Sequence, residues 1–144
     1  MSTATPASSP LLMLDTNTAS YVIKGQPPQV RERLLKVPAD RVVISAVTEG
    51  ELIYGVAKRG GPAALSAVVR EFLMRVTVLP WDSEVARTHG ELRAACTATG
   101  VTLGALDMMI AAHAAAINAT LVTADHAFSH LGSRLKLDDW TQTG

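Results

Sequence analysis

Short hydrophobic runs alternate along the chain with longer stretches that have helical spacing. The short runs are rich in Val, Leu and Ile and too short for helices, so they predict buried strands. Glycines such as Gly100 interrupt the chain where helices should end. The predicted strands are 11–14, 42–44, 76–79 and 120–122, with an edge strand at 135–137, and the predicted helices are 46–59, 62–74, 83–99 and 105–117.

This order of strands and helices predicts an α/β fold. Strands that alternate with helices of this length pair in parallel through right-handed crossovers. We expect one domain over residues 11–144, with a doubly wound, mainly parallel sheet of four to five strands and helices on both faces. Residues 1–10 are small and polar with two prolines, so we expect a disordered lead-in there. In such folds, ligands bind at the carboxyl ends of the strands.

Composition narrows the class of protein. The chain has 144 residues, 48% of them hydrophobic and 18% charged, which suits one aliphatic core. It lacks a bilayer-spanning apolar segment and a signal peptide, so we expect a cytoplasmic protein without a membrane partner. The single cysteine, Cys96, is expected to be a buried hydrophobe. Thirteen basic residues balance thirteen acidic ones, so nucleic-acid binding would need a local basic patch or a metal.

Two carboxylates directly follow predicted strands. Asp15 comes at the end of the first strand, and Asp125 comes just after the fourth. Taken alone, each fits a helix N-cap at least as well as a metal ligand, because Asp is a favoured N-cap residue. Both are nevertheless expected at the carboxyl edge of the sheet.

Two further acids lie early in predicted helices. Glu51 stands three residues after Thr48, the spacing of a capping box, so a capping role and a site role are equally compatible with it. Asp107 shares a helical face with Ile110 and Ala114, which are expected in the core. An unpaired carboxylate on an inward face is costly, so Asp107 requires a cation or a hydrogen-bond donor.

A shared divalent cation accounts for all four acids, whereas capping leaves the inward-facing Asp107 unexplained. Carboxylate and water oxygens are the ligands of hard Mg²⁺ or Mn²⁺, and the sequence lacks the Cys and His clusters that softer metals need. His126 and His130 have i, i+4 spacing, but no third ligand is evident, so we interpret them as a solvated pair. The sequence thus predicts a Mg²⁺ site, with Mn²⁺ as a substitute, formed by Asp15, Glu51, Asp107 and Asp125.

In these residues and their order, the chain resembles the PIN-domain family, in particular the VapC-type toxins of type II toxin-antitoxin modules. The resemblance extends over residues 12–139. No single motif is diagnostic, but their order and spacing together are highly specific. The matching segments are 13–17 (MLDTN), 44–55 (ISAVTEGELIYG), 78–82 (VLPWD), 107–113 (DMMIAAH) and 120–125 (TLVTAD).

The resemblance implies a PIN domain that acts as a Mg²⁺-dependent endoribonuclease. It implies cleavage of single-stranded or looped RNA, homodimerisation, and neutralisation by a VapB-type antitoxin. It places Asp15 and Asp107 as the main metal ligands, with Glu51 and Asp125 often acting through water or a second ion. The implied catalytic and metal-binding set is Asp15, Glu51, Asp107 and Asp125, with Asn17 and Thr123 as supporting polar groups.

Two alternatives remain at this level. A phospho-acceptor, receiver-like signalling domain would also have an acidic Mg²⁺ pocket, and Asp82, Thr123 and Lys136 could serve it. That class of domain uses paired acids after the first strand, where this chain has only Asp15. The second alternative is a catalytically silent PIN-like binding module in which the acids are helix caps.

Overall fold

Five short strands form one parallel sheet in the computed structural model, which describes residues 10–142. The strand order is β3-β2-β1-β4-β5, and all four pairings are parallel. The predicted α/β class and doubly wound parallel sheet are therefore confirmed. The strands are β1 Leu12–Leu14, β2 Val42–Ser45, β3 Thr77–Leu79, β4 Thr120–Val122 and β5 Lys136–Asp138.

Helices connect the strands along the described part of the chain. The helix at 83–99 has the predicted bounds, and the other three predicted helices differ from prediction by one or two residues at their ends. Gly100 ends the helix at 83–99 in the left-handed conformation, at φ 75°, which explains why a glycine stands there. The helices are α1 Thr16–Lys24, α2 Pro28–Leu35, α3 Ala46–Ala57, α4 Ala63–Arg75, α5 Ser83–Thr99 and α6 Ala105–Ala116, with 3₁₀ segments at Ala39–Arg41 and His126–Arg134.

The sheet separates two hydrophobic cores, because successive side chains of a strand point to opposite faces. Met13 of β1 packs with α5 and α6, whereas its neighbour Leu14 packs with α1 to α4. Cys96 is buried in the first core, as predicted, and Trp140 is buried in the second. Among residues 10–142, no helix combines the length and apolar character that crossing a bilayer requires. Nearly all of the predicted lead-in, 1–10, lies outside the described residues.

The winding of the sheet reverses between β1 and β4. After β1 the chain adds β2 and then β3 on one side, and it then crosses to add β4 and β5 on the other side. Leu14 pairs with Val122 at the carboxyl ends of these two central strands. The crevice at such a reversal is the usual ligand site of an open α/β sheet, so the residues that follow β1 and β4 are placed for function.

Candidate active site

Asp15 lies at the carboxyl end of β1 and is only 4% exposed. Its Oδ1 accepts a hydrogen bond of 2.8 Å from the backbone N–H of Thr18, so Asp15 is indeed the N-cap of α1. Its Oδ2 accepts a hydrogen bond of 2.6 Å from the hydroxyl of Thr123 at the end of β4. Each carboxylate oxygen keeps a lone pair after these bonds. The capping role and a role as a ligand are therefore compatible in this residue.

Glu51 is held from α1 rather than by a capping box. Helix α3 begins at Ala46, and Ser45 caps it by accepting a hydrogen bond of 3.1 Å from the N–H of Val47. Thr48 lies inside the helix, so the capping-box alternative is wrong. Instead, the hydroxyl of Thr16 donates a hydrogen bond of 2.6 Å to Glu51 Oε1.

Asp125 is exposed just beyond β4 and caps the 3₁₀ segment that follows. Its Oδ1 accepts a hydrogen bond of 2.9 Å from the N–H of Ala127. Its own N–H donates to the Thr123 hydroxyl at 3.0 Å, so Thr123 connects the Asp125 loop to Asp15. Asn17 is exposed, and among residues 10–142 its side chain makes no hydrogen bond, so its supporting role stays a prediction.

Asp107 lies in the first turn of α6 and is half-buried. No described residue donates a hydrogen bond to its carboxylate, and the N-cap of α6 is Gly104, which has no side chain to contribute. Burial raises the pKa of Asp107, and the negative charges of Asp125, Asp15 and Glu51 raise it further, in that order. The fold thus brings the four predicted acids into one electrostatic group centred on the carboxylate that lacks a donor.

The donor set of this group fits a hard divalent cation. Carboxylate oxygens that repel one another and lack a counter-charge are the ligands that Mg²⁺ favours. No three Asp, Glu, His or Cys side chains within residues 10–142 lie close enough together to enclose an ion by themselves. Mg²⁺ is usually held by one or two carboxylates and keeps several waters, so direct coordination by two of the acids suffices. Metal binding stays a prediction, as does the interpretation of the exposed His126 and His130 as a solvated pair.

The roles of two hydroxyl groups at the site cannot be recognised from the sequence. Thr16 and Thr18 look like ordinary residues of a first helical turn. In the structure Thr16 holds Glu51, and the Thr18 hydroxyl donates to the carbonyl of Val122 at 3.0 Å, which ties the start of α1 to the end of β4. Both partners are remote in sequence, so only the fold reveals these roles.

The sequence matches known proteins over most of its length. The family model described as PIN domain matches residues 12–133. The chain belongs to the PIN-domain family. The tRNA(fMet)-specific endonuclease VapC of Salmonella typhimurium is 37% identical over 128 residues, covering 89% of this chain and 96% of that protein. The protein of the same description from Shigella flexneri is 38% identical over 130 residues, covering 90% of this chain and 97% of that protein.

The fold of this PIN domain also matches a solved structure. The structure of VapBC2 from Rickettsia felis bound to a promoter DNA fragment superposes with a TM-score of 0.83 at 32% identity, covering 90% of this chain and 98% of that chain. The predicted resemblance to VapC-type PIN domains is therefore confirmed.

The receiver-like alternative fails on strand order. Receiver domains have the order 2-1-3-4-5, whereas this sheet has 3-2-1-4-5. Asp82, the acceptor in that alternative, caps α5 by accepting a hydrogen bond of 3.0 Å from the N–H of Val85. Asp82 is also not among the charged groups that raise the pKa of Asp107.

Proposed function

We propose that this PIN domain is a Mg²⁺-dependent endoribonuclease and the toxin of a type II toxin-antitoxin pair. The endonuclease description of the Salmonella and Shigella relatives supports RNA as the substrate. The presence of the Rickettsia relative in a VapBC2 structure supports a VapB-type antitoxin as the partner. A homodimer and a cytoplasmic location belong to the same proposal.

The observation that carries the nuclease proposal is the state of Asp107. It is a half-buried carboxylate that accepts no hydrogen bond from a described residue, and three other carboxylates raise its pKa. In its ionised form such a group destabilises the fold unless a cation offsets its charge. The arrangement is therefore costly as a set of helix caps and useful as a cation site, which favours the enzyme over the silent binding module.

The hydrogen bonds around the acids support a separate task for each of them. A bound Mg²⁺ or Mn²⁺ would lower the pKa of a coordinated water and offset charge on the scissile phosphodiester. Asp15 and Asp107 would hold the ion, and Thr123 fixes the orientation of Asp15 through its 2.6 Å bond. Thr16 occupies only one oxygen of Glu51, so the other oxygen remains able to orient the attacking water. Asp125 has one oxygen engaged in capping, and its second oxygen can act in the same way.

An RNA cleavage assay with purified protein tests the proposal. We expect cleavage with Mg²⁺, none with excess chelator, and recovery when Mg²⁺ or Mn²⁺ is restored. Asp15→Asn and Asp107→Asn should each abolish cleavage while the far-UV circular dichroism spectrum stays unchanged. Asp40→Asn makes the same chemical change at an exposed residue outside the group and should cleave like the wild type.

Two outcomes would overturn the proposal. Full cleavage in excess chelator would show that the reaction does not need a metal ion. Full cleavage by Asp107→Asn would show that it does not need the Asp107 carboxylate. Absence of cleavage under every condition, with the protein folded, would favour the catalytically silent binding module.

A further inference from the structure

His113 is a fully buried titratable residue that the proposed chemistry does not use. It lies in α6, is 1% exposed, and stands between the buried residues Ala112 and Ala114 in the sequence of that helix. Its Nδ1 is 2.8 Å from Oγ of Ser45, which is 0% exposed and 68 positions away in sequence. Among residues 10–142, this is the only side-chain hydrogen bond between α6 and the segment formed by α3 and its N-cap.

Either atom of the pair can act as the donor. Ser45 Oγ already accepts the N–H of Val47 at 3.1 Å, and with its remaining lone pair and its own hydrogen it can accept from His113 Nδ1 or donate to it, according to the tautomer of the ring. Burial lowers the pKa of His113, although the nearby charge of Asp82 opposes this effect, so the ring is neutral near pH 7. A neutral ring that accepts at Nδ1 carries its hydrogen on Nε2.

The pair lies between the two helices that carry half of the acidic group. Ser45 caps α3, which carries Glu51 six residues later, and His113 lies six residues after Asp107 on α6. The two helices pack against each other. The buried face of α6 around His113 is formed largely by alanines, which give few projections to fix its sliding or rotation. Apolar burial is non-directional, whereas a hydrogen bond defines both a distance and an angle.

We propose that His113 is a positioning residue: its hydrogen bond with Ser45 sets the placement of α6 against α3 and thereby holds Asp107 in register with Glu51. Its effect on catalysis rests on the proposed nuclease function, but its effect on helix placement does not. Loss of the bond should leave a folded protein with a misplaced Asp107. A displacement of about 1 Å in an active site can lower the rate by up to about 100-fold.

Three variants separate positioning from general stability. His113→Leu removes the hydrogen bond and keeps an apolar side chain of similar size. His113→Asn keeps a polar group at the position of Nδ1, and so can restore the bond to Ser45. Cys96→Ala is the control, because it removes a buried side chain from the same core on α5 without touching the pair. Each is assayed for RNA cleavage well below its own unfolding midpoint.

We expect His113→Leu to lower kcat by about 10- to 100-fold with KM for RNA within about 2-fold of wild type, and His113→Asn to recover most of the rate. Cys96→Ala should keep the wild-type kcat even if it lowers the unfolding midpoint as much as His113→Leu does. Equal kcat loss in Cys96→Ala and His113→Leu, or no recovery in His113→Asn, would overturn the proposal. Should His113→Leu not fold, His113→Gln replaces it, since its amide lies near Nε2 rather than Nδ1, and the same outcomes apply.

A second measurement does not need the nuclease. Spin labels on cysteines introduced at the exposed positions Ala57 of α3 and Leu106 of α6, in the Cys96→Ala background, report the distance between the helices. We expect one narrow distance distribution when His113 is present or replaced in His113→Asn, and a shifted or broadened one in His113→Leu. An unchanged distribution in His113→Leu would overturn the positioning role even if RNA is cleaved. Protein that cleaves no RNA but shows this shift would refute the nuclease proposal alone.

Discussion

Replacing Thr123 by Val should weaken both the fold and the proposed catalysis. The change keeps the shape of the side chain and removes the hydroxyl of a residue that is 5% exposed. That hydroxyl donates to the buried Asp15 carboxylate at 2.6 Å and accepts from the N–H of Asp125 at 3.0 Å. The variant therefore loses one of the hydrogen-bonding groups that connect the carboxyl ends of β1 and β4.

The size of the effect follows from these two bonds. A hydrogen bond to a charged group contributes about 1.5–3 kcal/mol, and one between neutral groups about 0.5–1.5 kcal/mol. We expect a loss of about 2–4 kcal/mol in the free energy of unfolding, or roughly 6–12 °C in Tm for a chain of this length. Loss of a residue that orients a metal ligand typically costs about 10- to 100-fold in metal affinity or activity, and we expect a similar loss of RNA cleavage.

Thermal unfolding and RNA cleavage with Mg²⁺ check this prediction. Thr123→Ser should recover most of both quantities, because it keeps the hydroxyl. Thr120→Val is the matched control, since Thr120 lies on β4 three residues before Thr123 and its side chain makes no hydrogen bond to another described residue. A Thr123→Val protein with unchanged Tm and unchanged cleavage would refute the reasoning from the structure.

Three further predictions concern the acidic group. The raised pKa of Asp107 means that the folded protein holds this proton more tightly than the unfolded chain does. The group therefore favours folding at low pH, and this contribution is lost as the pH rises through the raised pKa. In chelator, Asp107→Asn should thus have a higher Tm than wild type at pH 7, and this difference in Tm should disappear toward about pH 3. A difference in Tm that does not depend on pH would contradict this prediction. Mg²⁺ at about 100 times its Kd should raise the wild-type Tm by roughly 8 °C. An equal rise in the Tm of Asp107→Asn would contradict the prediction that Asp107 takes part in binding Mg²⁺. Thr16→Val should lower cleavage about 10-fold by releasing Glu51, while Thr16→Ser should not; equal activity of the two variants would argue against that bond.

Hydrophobic pattern predicted most of the scaffold because burial on a sheet or helix face leaves a periodic trace. The five strands and the helix at 83–99 lie within one residue of their predicted bounds. Helix α2 was not predicted, because only Val30 of its residues is buried and its eight residues make it shorter than each of the predicted helices. Helix α1 begins with Thr16, Asn17 and Thr18, which have modest helix propensity, so capping by Asp15 and packing of Ala19 and Val22 stabilise it instead.

The candidate site was predictable residue by residue but not as a network. The position of Asp15 and Asp125 after strands placed them at the same edge of the sheet. The N-cap roles of Asp15 and Asp125 were foreseen, but the side-chain donors to Asp15 and Glu51 could not be predicted, because they lie 108 and 35 positions away in sequence. Local spacing offered Thr48 as a capping-box partner of Glu51, whereas in the structure Thr16 donates to Glu51 and Thr48 lies inside the helix.

Anomalous X-ray scattering from crystals soaked in Mn²⁺ is the most direct test of the account. We expect a metal peak in the crevice after β1 and β4, at about 2.0–2.2 Å from carboxylate oxygens of Asp15 and Asp107, the spacing of a hard divalent ion and its ligands. The peak should be absent from Asp107→Asn crystals treated in the same way. A wild-type crevice without a peak at saturating Mn²⁺, in protein that still cleaves RNA, would contradict the claim that these acids bind the ion.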